Sequence, residues 1–198
     1  MIRADSGPSL ERLKSSIRKV EERGFSYTVY ADASSKYVMD HVTALPLRFA
    51  DGLRRGRVPM ELKDLLHEHG FTRPPAASFR KTGKGCWKIE GEGDACSIYL
   101  RREKEEDTEE IEERLDLYDL TGPETKEYER MVEEGIIREV PGGKDADIWI
   151  LLRAKSNPDS RILSNDSFKD WERIFPFVRE EERTIRFEAK DHSIVIQW

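Results

Sequence analysis

Residues Arg161-Ile-Leu-Ser-Asn-Asp-Ser-Phe-Lys-Asp-Trp171 decide how this chain is read. A short apolar run of strand type, Arg161 to Ser164, passes directly into Asn165-Asp166, and Asp170 follows four residues later. In an open α/β sheet, ligands bind beyond the carboxyl ends of the strands, so an acid placed there is a candidate functional residue. A helix is expected over 167–171. If it begins at once, Asp166 and Asp170 stand at i and i+4 on one helical face.

The segments upstream have the same grammar. Thr125 is positioned to cap a helix through Tyr128, Met131 and Val132 that Gly135 ends, and a strand is expected over 136–140. The Pro141-Gly-Gly loop then leads to Asp145, a second cap, and to Asp147 at the start of a helix holding Ile148, Ile150, Leu151 and Ala154. Near the amino end, Ser9 caps an amphipathic helix over 9–23, with Leu10, Leu13, Ile17 and Val20 at helical spacing and Gly24 as its stop. Tyr27 to Ala31 is a strand ending at Asp32. Helices alternating with strands predict an α/β fold with a mainly parallel sheet. The carboxyl-terminal pieces 174–178, 184–188 and 193–197 are β-rich.

Regularity is lost between 41 and 124. Helical pieces occur around Met60 to Leu66, and Cys86 to Ile89 with Ser97 to Leu100 suggests a hairpin. The acid-rich stretch 103–116 is expected to be a solvated helix or disordered. His67 and His69 suggest surface or capping roles. Trp149, Phe168 and Trp171 fall at apolar helix positions and are expected in the core. Trp198 has no assigned role.

The bulk numbers set limits. The chain has 198 residues, 40 of them acidic, 37% charged and 37% hydrophobic, with a net charge of -6. This length suits one domain with a sizeable insertion. The acidic balance argues mildly against nucleic-acid binding, although a local basic patch would suffice. Cys86 and Cys96 have no histidine partner nearby and are expected to be free thiols rather than zinc ligands. No signal peptide is read at the start, and no apolar run approaches the ~20 residues that span a bilayer. A soluble, cytoplasmic protein with no membrane partner is expected; a homo-oligomer is compatible with the sequence.

Acids gathered at strand ends repel one another unless a cation neutralises them. Mg²⁺ and Mn²⁺ prefer carboxylate and water oxygens and activate water against phosphodiesters. A plainer explanation stands beside this one. Asp145 and Asp166 are also ordinary capping residues, and with 40 acids some fall at strand ends by chance.

Taken together, Tyr128-Glu-Arg-Met-Val-Glu-Glu-Gly-Ile-Ile, Pro141-Gly-Gly-Lys-Asp-Ala-Asp-Ile-Trp-Ile-Leu and Ile162-Leu-Ser-Asn-Asp-Ser-Phe-Lys-Asp-Trp resemble the carboxyl-terminal half of Regnase-type NYN ribonucleases of the PIN-like superfamily. The Ser-Asn-Asp…Asp-Trp element is the most specific part. The resemblance implies a three-layer α/β/α fold with a mainly parallel sheet, formed by 1–40 and 125–198. Residues 41–124 would be an inserted β-hairpin and helical segment. It also implies metal-dependent endonucleolytic cleavage of RNA, with Mg²⁺ or Mn²⁺ held by Asp147, Asp166 and Asp170. Asp32 would line the site, Asn165 would shape the loop and touch phosphate, and Ser164 is a weaker substrate-binding candidate.

 The implied activity is thus cleavage of single-stranded RNA by a metal-activated water, and binding without cleavage is the alternative.

Two departures from the family pattern matter. The family's first strand ends in an acid just before the first helix, whereas here only residues 1–7 precede that helix. Either Ile2-Arg-Ala-Asp5-Ser is a stunted version or the strand is missing. The second departure is the insertion itself. Its Arg80, Lys81 and Trp87 would bind single-stranded RNA by charge and stacking, or belong to a surface hairpin with a packed Trp. Three functions follow: a metal-dependent endoribonuclease, a catalytically degenerate PIN-like domain that binds RNA or a protein, and an α/β hydrolase acting on another phosphoester.

Overall fold

The computed structural model describes residues 3–4, 7–71, 79–104, 111–142, 144–190 and 193–198. In chain order the elements are β1 (Arg3–Ala4), β2 (Gly7–Pro8), α1 (Leu10–Glu22), β3 (Val29–Asp32), β4 (Asp40–Leu45), α2 (Phe49–Arg54), α3 (Met60–Glu68), β5 (Phe79–Gly83), β6 (Cys86–Glu90), β7 (Ala95–Lys104), β8 (Ile111–Asp119), α4 (Pro123–Glu133), β9 (Ile137–Val140), α5 (Ala146–Ser156), β10 (Ile162–Leu163), β11 (Thr184–Lys190) and β12 (Ser193–Gln197). The fold is mixed α/β. It divides into two compact units, 1–35 with 131–198, and 36–130, so the division falls within α4.

In the first unit, β3 runs parallel to β9, with Val29 opposite Ile137 and Asp32 opposite Val140. A second parallel pair, β10 with β11, is extended by antiparallel β12. Among the described residues no strand joins the two pairs. Arg3–Ala4 pairs with Gly7–Pro8 as a local antiparallel ladder, and Asp5 lies outside the described residues. Ser9 caps α1 by accepting from the Arg12 amide. Phe187, Ile194 and Ile196 form a small core joined by Val20 of α1. Leu151, Ala154, Ile162, Phe168 and Phe175 form another.

The second unit corrects the expectation of a mainly parallel sheet. The largest sheet is antiparallel, five strands in the order β4-β8-β7-β6-β5. Its sequence hides this because the acids of 111–116 suggest solvated chain, yet the stretch pairs along β7. Leu100 pairs with Leu115 and Ile98 with Leu117, and these four share a core with Phe49, Leu53, Leu62, Leu66 and Trp87. Residues 111–116 are therefore strand; 105–110 lie outside the described residues. Trp149 is exposed rather than core, and 176–179 form a 3-10 turn where a strand was expected. Trp198 stacks on Phe25 and lies beneath the Arg23 guanidinium.

Helix α4 takes its amino-terminal cap from a distant residue. Gly122 offers no side chain, and the Asp40 carboxylate accepts from the Glu124 and Thr125 amides at 3.2 and 2.8 Å and from the Thr125 hydroxyl at 2.9 Å. A Cβ on Gly122 would lie 2.3 Å from Asp40 Cγ, so any side chain there displaces the cap. Asp40→Ala is expected to lower the unfolding free energy by about 1–2 kcal/mol in urea titrations. Gly122→Ala is expected to do the same, and to add little in the Asp40→Ala background. Additive losses would show that the two substitutions act separately.

Candidate active site

The candidate acids belong to the first unit, and Asp32 and Asp166 lie near enough to Asp147, at the amino end of α5, to act on its charge. The carboxyl end of β3 delivers Asp32, whose Oδ1 accepts from the Ala146 amide at 3.0 Å. Asp145, the cap residue, accepts from the Asp147 amide at 3.0 Å. The positive end of the helix dipole favours carboxylates here. Asp147 occupies the first turn and is partly buried.

Asp166 arrives from the other parallel pair. The loop that carries it is held on several sides. The Asn165 amide donates to the Phe187 carbonyl at 2.8 Å and accepts from the Phe187 amide at 3.0 Å, prolonging the β10–β11 pairing with a side chain. Arg186 donates to the carbonyls of Ser164 and Asp166. Ser164 Oγ accepts from the Asp166 amide, and Asp166 Oδ1 accepts from the Phe168 amide at 2.7 Å. Asn165 and Ser164 thus shape the loop.

The helix expected from Ser167 does not form there. Phe168 adopts a left-handed conformation (φ 51°), its ring is buried, and a 3-10 turn begins only at Lys169. Asp166 and Asp170 therefore do not share a helical face. The acids that act on Asp147 are Asp145, Asp166 and Asp32, and exposed Asp170 is not one of them. Trp87, for which base stacking and packing within a hairpin were both open, is 2% exposed in the core of the second unit and so is packed. Arg80 and Lys81 are exposed on opposite faces of β5, and Arg80 pairs with Glu90. Both cysteines are free and buried. A polar pocket lined by Tyr27, Thr28, Glu134, Gly135, Ile136 and Arg138 lies at the amino ends of β3 and β9, the opposite end from the acids.

Burial, then repulsion from Asp145, Asp166 and Asp32, raises the Asp147 carboxyl to about 6. Oxygen-only donors of this kind suit a hard cation such as Mg²⁺ or Mn²⁺, which needs only one or two carboxylates with water completing its shell. Among the described residues no three His, Cys, Asp or Glu side chains converge as an all-protein metal cage would require. No family model, curated protein or solved structure matches the chain.

The raised Asp147 has a consequence for stability. The folded state holds this proton more tightly than the unfolded chain, whose carboxyl titrates near ~4. The group therefore favours folding at low pH, and that contribution is lost as pH rises through about 6. In EDTA, Asp147→Asn is expected to raise the urea midpoint at neutral pH and to change it little in acid, where wild-type Asp147 is already protonated. Partial exposure limits the gain to about 1 kcal/mol. Equal midpoints at neutral pH would show that the repulsion is screened away.

Proposed function

We propose that the first unit is a PIN-like nuclease domain of the Regnase type, hydrolysing RNA phosphodiester bonds at the amino end of α5. One observation carries the reading: Asp32 and Asp166, from the carboxyl ends of two parallel strand pairs, both lie near enough to Asp147 to act on its charge. That is where an α/β sheet places its ligands. Burial, with repulsion from the neighbouring acids added, raises Asp147, and a divalent cation relieves that repulsion.

Asp147 and Asp166 are the residues assigned to hold Mg²⁺ or Mn²⁺, with Asp32 lining the site and fixing the start of α5. When bound, such a cation neutralises charge on the phosphoryl oxygens and lowers the pKa of a coordinated water. The protein's own contribution is to orient the carboxylates. Asp32 is tied to Ala146, and Asp166 is held by its turn to Phe168. In the hydrolysis, a water oxygen bonds to phosphorus as the bond to the leaving ribose oxygen breaks; the water's proton passes to a carboxylate, and the leaving oxygen takes up a proton from solvent to become a hydroxyl.

A second reading has its own observation. Among the described residues no strand joins the two parallel pairs, and no three metal-ligating side chains converge. A domain lacking part of its sheet and of its ligand set would bind RNA or a protein without cutting.

Cleavage of labelled single-stranded RNA separates the two. The nuclease reading expects Mn²⁺-dependent cutting that EDTA stops, a loss of at least about a hundredfold in Asp166→Asn and Asp147→Asn, and near-wild-type activity in Asp170→Asn. Binding without cutting in Mn²⁺ would select the second reading.

A further inference from the structure

Helix α5 carries an unbroken apolar run, Ile148-Trp-Ile-Leu-Leu152. A helix that is apolar all round is normally covered all round. One side of α5 is covered. Leu151 and Ala154 are buried with Phe168 and Phe175, and partly buried Ile150 packs against them. At 3.6 residues per turn, Asp145, Trp149, Leu152 and Ser156 fall on the opposite side, with Ile148 and Arg153 at its margins. There Trp149 is 41% exposed and Leu152 47%.

The ends of this face carry opposite charges. Asp145 stands at the amino end, and Arg153 and Lys155 lie in the last turn. Asp145 gives Oδ1 to the Asp147 amide and keeps Oδ2 for another donor. Lys155 is engaged over the Phe175 ring, 5.7 Å from its centroid. Arg153 is exposed and has no ion-pair or hydrogen-bond partner among the described residues. Such a face is complementary to itself when it runs the other way. With a two-fold axis midway between Trp149 and Leu152, each of these residues meets the other across the axis. Asp145 then falls opposite Ser156, about 4.5 Å along the helix from the level of Arg153, within reach of its guanidinium.

We propose that the outer face of α5 is a two-fold contact between two copies of this chain, packed antiparallel, with Trp149 and Leu152 at its centre and an Asp145–Arg153 ion pair at each end. A second copy is the occupant because the face supplies its own complement: an acid at one end, an unpaired base at the other, and two apolar residues that exchange places under the two-fold. The contact also brings a positive charge to the acidic site. Asp145 is one of the acids that repel Asp147, and Arg153 of the partner subunit stands beside it in the dimer. The proposal holds whether or not that site cuts RNA. A single helix pair is a small interface, so the dimer is weak, with a Kd of about 10–100 µM.

Sedimentation velocity of the full chain in EDTA, from ~5 to ~500 µM, is the test. The wild type is expected to pass from monomer to dimer over that range. Leu152→Arg, at an exposed position, is expected to melt like the wild type and to weaken the dimer at least about tenfold. Trp149→Ser, which removes the other apolar contact without adding charge, is measured beside it and is expected to weaken the dimer similarly. Arg153→Glu is expected to weaken it about tenfold at ~0.05 M salt, and to approach the wild type at ~1 M, where the screening length falls to about 3 Å. A wild type that stays monomeric throughout, or a dimer indifferent to both Leu152→Arg and Trp149→Ser, overturns the proposal. A dimer that Leu152→Arg disrupts but Arg153→Glu leaves intact at low salt overturns the antiparallel pairing. A monomer whose affinity for single-stranded RNA falls in Trp149→Ser would give the face to RNA instead, and that outcome also overturns it.

Discussion

The hydrogen bond from the Ala146 amide to Asp32 is the constraint on which the candidate active site depends. It joins the carboxyl end of β3 to the first turn of α5 and satisfies an amide that the helix cannot satisfy internally. It also fixes one acid beside the place where Asp145 and Asp147 must emerge. A carboxylate used this way has two roles at once, since it caps the helix and adds negative charge to the site. The stability of the helix start and the repulsion felt by Asp147 are therefore linked, and neither can be altered alone at position 32.

The two units meet the same problem, unlike charges and apolar residues interleaved along strands, with different sheets. In the second unit strict alternation over β7 and β8 separates a leucine- and isoleucine-rich face from one bearing arginines, Asp116 and tyrosines. In the first unit the strands are short and parallel, and their chemistry lies at their ends rather than on their faces.

The first unit was the more legible in the sequence. Ser9, Gly24, Gly135 and Asp145 mark helix ends through local backbone needs, and a local need can be read locally: Gly24 and Gly135 take positive φ, and Asp145 caps α5 as its spacing implies. The grouping of Asp32, Asp147 and Asp166 was also readable, because each follows a strand. What could not be read depended on distant partners. The Asp40 cap reaches α4 across 84 residues, so Thr125 alone suggested a different start. The burial of Trp87 needs α2 and α3, and the strand character of 111–116 needs β7. Phe168 leaves the helical region for the left-handed one with its ring in the core, which places Asp170 away from the cluster, and nothing in the spacing of 166 and 170 carries that information.

The one-sided pairing of β3, β9 and β10 among the described residues has a consequence for dynamics. Strands β7 and β8 are hydrogen-bonded on both edges, so their amides should exchange with solvent only through large openings. Those of β3, β9 and β10 can open by losing a single ladder. The acids thus stand at the ends of the more loosely held strands, and any ligand gathered by Asp32, Asp147 and Asp166 would tie the two pairs together. Its arrival should register as slowed amide exchange in β3 and β10, with the exchange of β7 and β8 unaltered.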